Sequence, residues 1–353
     1  MKQIFVLLGI VLTVMATACA VQAKPGAAAE TLDIYFLDMA GGASTLIVTP
    51  LGECVLIDTG SLEPEHRDAD RIERACRHAG LTQIDCLVTT HFDTDHYGGI
   101  LELSKRIPIK TFIDNDTPPK DIAKRQAFQK LNPLYEQATG GKTKLLSAGE
   151  DIPLKNDPVG KLSAIRLHCV ASQKQIEGFA GDIDAPVEGF EMAKPDTSNN
   201  AASIALVLSY GDFAFFAGGD ITSNVEHHLA HPVNRIGKVD LYQVTHHGLD
   251  QSNNPVLLKV LSPTVCVAMN GPRKGIQPRT FKALNALPSI KAIYAIHYNT
   301  QYGDAGNPPP EFISNKDDPN KGEYIKASIN PTKGTFTLQI GPEGKKREYA
   351  IQP

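Results

Sequence analysis

Four side chains able to bind a metal fall within six residues of this chain: His91, Asp93, Asp95 and His96, spaced His-x-Asp-x-Asp-His. Imidazoles and carboxylates in such density suit a divalent cation, because together they offer nitrogen and anionic oxygen donors at one point. A cation held there makes a bound water acidic enough to attack an ester or an acyl bond near neutral pH. The plain alternative is a solvated polar turn that happens to be rich in His and Asp. Two later stretches repeat the arrangement. Gly219-Asp220 ends one apolar run, and His246-His247-Gly248 ends another.

These groups need elements that bring them together. Leu87-Val88 leads into the first cluster as a buried strand, and Gly98-Gly99 turns the chain into a helix beginning at Ile100. Loops at the carboxyl ends of strands are where open α/β sheets keep their sites. Upstream, 31–38, 44–49 and 54–60 alternate as strands. Residues 65–79 carry Ala69, Ile72, Cys76 and Ala79 at helical spacing, with Gly80 as a stop. Downstream, 109–113 reads as a strand, 122–138 as a helix, and 151–154 with 163–170 as paired strands. Residues 204–210 and 213–217 form a hairpin around Gly211-Asp212, and 264–269, 292–297 and 334–340 are later strands, the last of them final. Residues 171–200 read as a long loop near the site. His66, His78, His227, His228 and His231 are expected to face solvent, and His168 to pack within its strand.

The spacing of the first cluster resembles the His-x-His-x-Asp-His signature of the metallo-β-lactamase superfamily, with Asp93 at the second histidine. That variant, followed by Tyr97-Gly98-Gly99 and joined by Gly219-Asp220 and His246-His247-Gly248, looks most like the ComEC-like, competence-protein-type branch. Leu37-Asp38-Met-Ala-Gly41-Gly42 and Asp58-Thr-Gly60 are similar to the superfamily's opening segments. The resemblance implies an α/β protein folded as a four-layer αββα sandwich. It implies one or two divalent metal ions, Zn or Mn. His91 and Asp93 would serve the first, Asp95, His96 and His246 the second, and Asp220 would bridge. His247 stands as the alternative to His246. Asp58 would steady the ligands from behind.

Departures from the pattern carry expectations of their own. A histidine expected before Ser203 is replaced by Asn199 or Asn200, which leaves the first site rich in oxygen. Harder ions are favoured there, and the second site is expected to bind more tightly than the first. Gln277 stands where relatives carry a histidine, so an acid would have to come from His247 or His297, with Asp95 orienting the water and Lys274 holding a phosphate oxygen. The expected activity is hydrolysis of a phosphodiester or related phosphate ester by an exported enzyme. The alternatives are lactam or ester hydrolysis, and a degenerate, non-catalytic metal-binding protein.

Lys2 followed by an apolar run and Val21-Gln22-Ala23 reads as a signal peptide over 1–23, leaving one hydrolase domain over 24–353. The expected location is periplasmic or secreted, the alternative being a lipid anchor through Cys19. No later segment approaches membrane-spanning length. The chain carries formal charge −4, which weighs against extensive duplex DNA binding and leaves a small-molecule or phosphoester substrate as the expected partner. Its cysteines include no C-x-x-C pair, so thiolate zinc ligation is not expected.

Overall fold

The computed structural model describes residues 31–63 and 65–352; the signal-peptide and Cys19 expectations lie outside them. The N-terminal half runs β1 (Leu32–Phe36), β2 (Thr45–Val48), β3 (Cys54–Ile57), α1 (Arg67–His78), β4 (Ile84–Val88), α2 (Thr94–Tyr97), α3 (Ile100–Ser104), β5 (Ile109–Asp114), α4 (Ile122–Thr139) and β6 (Thr143–Leu145). The C-terminal half runs β7 (Asp151–Ile152), β8 (Ile165–Ser172), β9 (Gln175–Ile176), β10 (Ala205–Tyr210), β11 (Phe213–Ala217), α5 (Ser223–Ala230), β12 (Leu241–Gln243), α6 (Pro255–Leu261), β13 (Val265–Ala268), α7 (Pro278–Asn285) and β14 (Ala292–Ala295). Three strands then return to the first sheet: β15 (Ile325–Asn330), β16 (Thr335–Ile340) and β17 (Arg347–Ala350).

Two sheets result. The first has the order β17-β16-β15-β1-β2-β3-β4-β5-β6, and the second β14-β13-β12-β11-β10-β8-β7 with β9 on β8. Three separate apolar layers show how they stack. Phe36, Ile47, Val55 and Val88 of the first sheet meet Leu167, Leu206, Phe215 and Val267 of the second between the sheets. Ala69, Ile72, Leu103 and Tyr135 cover the outer face of the first sheet. Val225, Leu229, Leu258, Phe281 and Leu284 cover that of the second. Helix, sheet, sheet, helix: this is the four-layer αββα sandwich.

Each sheet contains a parallel run, β3-β4-β5-β6 in one and β11-β12-β13-β14 in the other. Strands in a parallel run all end on the same side. Asp58, the His91–His96 loop, Asp220 and His246-His247 all follow such ends. The two sheets are joined there by polar contacts. Asn115 donates to the carbonyls of Thr90 and Ala202, and Thr45 Oγ1 donates to Gln243 Oε1 at 2.8 Å.

Several sequence expectations are corrected. Residues 334–340 are followed by β17, a strand whose alternating exposure at the sheet edge gave little apolar signal. His227 and His228 are buried rather than solvent-facing. Their rings stack on Phe190 and Phe179, from the 171–200 segment folded over α5, at centroid distances of 4.0 and 4.3 Å. His231 is exposed. The five described cysteines are free and buried.

Candidate metal centre

The loop after β4 is shaped by close backbone approach. A Cβ on Gly99 would stand 2.2 Å from the carbonyl oxygen of Thr59, so only glycine lets the loop lie against the end of β3. The later histidines need a different device. His246 and His247 both have positive φ (56° and 55°), and their rings diverge to 6.2 Å between centroids. Gly275 accommodates this turn, because a Cβ there would meet His247 O at 2.1 Å.

Four imidazoles converge on one carboxylate. Asp220 Oδ2 lies 3.3 Å from His96 Nε2, 3.3 Å from His246 Nε2, 3.5 Å from His247 Nε2 and 3.9 Å from His91 Nε2. In each ring the other nitrogen is already committed. His96 Nδ1 donates to Asp58 Oδ2 at 2.7 Å, and His247 Nδ1 to the carbonyl of Met269 at 3.0 Å. Thr90 and Ser252 spend their hydroxyl protons on Asp58 and on Ile221 O, so each accepts from a ring: from His91 Nδ1 and His246 Nδ1, both at 3.1 Å. All four Nε2 atoms therefore turn a lone pair towards a buried carboxylate. The Nε2 atoms of His96 and His247 are 3.2 Å apart. Lone pairs facing lone pairs and anions call for a positive charge between them, a proton or a metal, and with the other nitrogens held from behind this donor set fits a divalent metal.

Charge follows the same logic. Burial opposes ionisation of Asp220, yet His246, His96 and His247 hold its carboxyl well below the usual range. Desolvation also opposes ionisation of Asp95, yet His96, Lys274 and His247 keep its carboxyl low. For His96, burial disfavours the imidazolium, but Asp220, Asp58 and Asp95 lift its pKa well above the ordinary value. Burial drives His91 down to about 3 and His246 down to about 4. The cluster attracts one unit of positive charge at His96, which a proton or a metal can supply.

Two compact donor groups share His96: His91, His96 and Asp220, and Asp95, His96 and His247. The histidine beside Asp95 and His96 is thus His247, 3.4 Å from Asp95 Oδ2, and not the expected His246. His246 belongs to neither compact group; Asn200 Nδ2 (3.3 Å) and Gln251 Nε2 (3.0 Å) approach its Nε2. The reversal comes from the consecutive left-handed residues, which no periodicity encodes.

Asn199 turns away, donating to the carbonyl of Thr117. Asp93 is buried, 3.8 Å from His91 Nε2, and paired with Lys124. Lys274 pairs with Asp95. His297 does not join the cluster. It is fully buried, and its Nε2 meets Asp38 Oδ1 at 2.7 Å while Arg71 Nη1 meets Asp38 Oδ2 at 3.0 Å. That internal triad removes it from acid catalysis. Gln277 accepts from the backbone N–H of Asp250 at 2.6 Å and so pins the loop after His247. Lys124, Gln251 and Ser252 were missed by sequence reasoning. They lie among ordinary polar residues of a helix and a loop, with no spacing to mark them.

Residues 38–158 match the family model of the metallo-beta-lactamase superfamily. The chain is similar to a protein from Parabacteroides distasonis ATCC 8503 described as a metal-dependent hydrolase, at 12% identity and TM-score 0.41, over 75% of this chain and 92% of that one. It is similar to a diphosphatase of the PhnP family at 14% identity and TM-score 0.37, over 73% and 93%. It is also similar to the diiron beta-hydroxylase CmlA of Streptomyces venezuelae at 14% identity and TM-score 0.38, over 70% and 46%. A search of curated proteins gave no match.

Proposed function

We propose that the chain is a metal-dependent hydrolase of a phosphodiester or related phosphate ester, exported to the periplasm or beyond after loss of residues 1–23, with 24–353 acting as one hydrolase domain. The observation that carries the reading is the convergence of four Nε2 lone pairs on buried Asp220, with Asp95 completing the donor set beside His96 and His247. A divalent cation bound there supplies Lewis acidity and a water whose pKa is lowered towards about 7.

The chain's own residues do the rest. Asp58 and Met269 O hold His96 and His247 in the tautomers that keep their Nε2 lone pairs free. Asp95 is a quarter exposed, and its carboxylate can orient a water by accepting a hydrogen bond from it. Lys274, partly exposed beside it, is suited to hold a non-bridging phosphate oxygen. This partly exposed cation favours an anionic substrate over a neutral one.

The test is hydrolysis of bis-p-nitrophenyl phosphate by the mature chain with manganese or zinc, beside a β-lactam. Turnover that requires metal and disappears in Asp220→Asn and His96→Ala, both still folded by circular dichroism, is the expected result. Activity on the lactam alone would overturn the phosphoester assignment.

A further inference from the structure

The two sides of the centre differ in what already partners their donors. On the side of Asp95, His96 and His247, the nitrogen lone pairs meet only each other and carboxylate oxygens. Outside that group, protein donors stand at two of the three remaining residues, His246 and Asp93 but not His91. The amides of Asn200 and Gln251 lie within hydrogen-bond distance of His246 Nε2. The ammonium of Lys124 is paired with Asp93 Oδ2. His91 Nε2 has no partner, and neither has Asp93 Oδ1.

Lys124 is held in place rather than merely near. It lies in the first turn of α4, where its backbone N–H donates to the capping Asp121 Oδ1 at 3.0 Å. Asp121 N–H in turn donates to Thr197 O at 2.8 Å, which ties the start of the helix to the strand-poor segment leading to Asn200. The Lys124 side chain remains 40% exposed while Asp93 is 5% exposed, so the cation reaches inward to a buried anion. Lys274 is paired with Asp95 in the same way, and donor spacing is what separates the two carboxylates: Asp95 Oδ2 lies 3.4 Å from His247 Nε2 and 3.7 Å from His96 Nε2, whereas Asp93 Oδ2 reaches one ring nitrogen, His91 Nε2, at 3.8 Å. Asp93 belongs to neither compact donor group.

We propose that Lys124 is the tethered cation of the first side: its ammonium neutralises Asp93 in place of a metal, and the chain binds one divalent ion, at Asp95, His96, His247 and Asp220. The inference rests on the hydrolase reading but is separable from it. An ammonium on Asp93 Oδ2 repels a second divalent ion beside His91, where one ring nitrogen is in reach, whereas Asp95 has two ring nitrogens close by to hold an ion against Lys274.

Metal stoichiometry tests this directly. Apo-protein is titrated with zinc, and separately with manganese, by calorimetry, and bound metal is measured by elemental analysis after desalting. The wild type is expected to take one equivalent. His96→Ala is expected to weaken that site at least 100-fold. Lys124→Met and Lys124→Ala, each checked for folding by circular dichroism, are expected to take up a second equivalent. The double variant Lys124→Met/Asp93→Asn is expected to return to one. Two equivalents in the wild type, or one in both Lys124 variants, would overturn the inference. Two equivalents with phosphodiester turnover would do so while leaving the hydrolase reading standing. One equivalent in the wild type and two in the Lys124 variants, without turnover on any phosphoester, would support the role of Lys124 and count against the hydrolase.

Discussion

Asp58 offers the sharpest perturbation, because it touches the centre only through other residues. Its carboxylate accepts three hydrogen bonds: from Thr90 N at 2.8 Å, from Thr90 Oγ1 at 2.8 Å and from His96 Nδ1 at 2.7 Å. In Asp58→Asn one oxygen still accepts from Thr90 N, and the threonine hydroxyl can rotate to accept from the new amide. His96 cannot adapt as cheaply, since the amide now presents N–H to Nδ1–H. The ring relieves the clash by moving its proton to Nε2, which removes the lone pair from the metal position. Losing such a partner costs about 10–100-fold in metal affinity, or roughly 1.4–2.8 kcal/mol. The apo-protein loses one charged hydrogen bond, about 1.5–3 kcal/mol, so folding should survive. Competition with a chromophoric chelator gives the affinity, and nitrogen chemical shifts of the His96 ring give the tautomer. Affinity equal to wild type together with an unchanged Nδ1–H tautomer would refute the reasoning.

Other perturbations probe the frame. Burial pushes the Glu226 carboxyl up to about 7 even though it accepts from the backbone N–H groups of Asn253 and Asn254. A raised folded pKa means that the native state keeps a proton the unfolded chain has lost. This contribution is therefore present below about pH 4.5 and is lost as pH rises towards 7, on the order of 3 kcal/mol. Glu226→Gln should flatten that part of the stability-versus-pH curve in urea melts; an unchanged slope would show that Glu226 ionises normally. Gly99→Ala puts a methyl 2.2 Å from Thr59 O and should cost about 1–3 kcal/mol, read as a lower urea midpoint. His297→Ala leaves buried Asp38 with one partner fewer and should destabilise by about 1–3 kcal/mol, with kcat per folded molecule unchanged. A selective loss of kcat there would return His297 to the chemistry.

The strands were legible because they are apolar runs bounded by glycine turns, but that pattern reads only as an α/β protein; the sandwich followed from the resemblance carried by the motifs at the carboxyl ends of the parallel runs. Asp220 and the His91–His96 loop could be read for that reason. The order of His246 and His247 could not, because it depends on two consecutive left-handed backbones rather than on residue type. Lys124 was hidden by distance in sequence: nothing in α4 marks one lysine as the partner of a carboxylate 31 positions earlier. His227 and His228 were misread because a helical polar face looks solvated until an aromatic from an aperiodic segment covers it. Gln277 and His297 turned out to be structural for a related reason, since hydrogen-bond networks between distant loops leave no local pattern.

The first strand of the first sheet is sandwiched between β2, its near neighbour, and β15, so Leu32 pairs with Ile329. During synthesis β1 therefore keeps one edge open until almost the whole chain has been made. Its ladder closes only after a loop spanning both halves has been drawn together, and pairings this remote in sequence slow folding. The nascent polypeptide would stay unfolded for longer than one built from local hairpins. That delay exposes a sticky edge to aggregation and gives chaperones time to capture the chain.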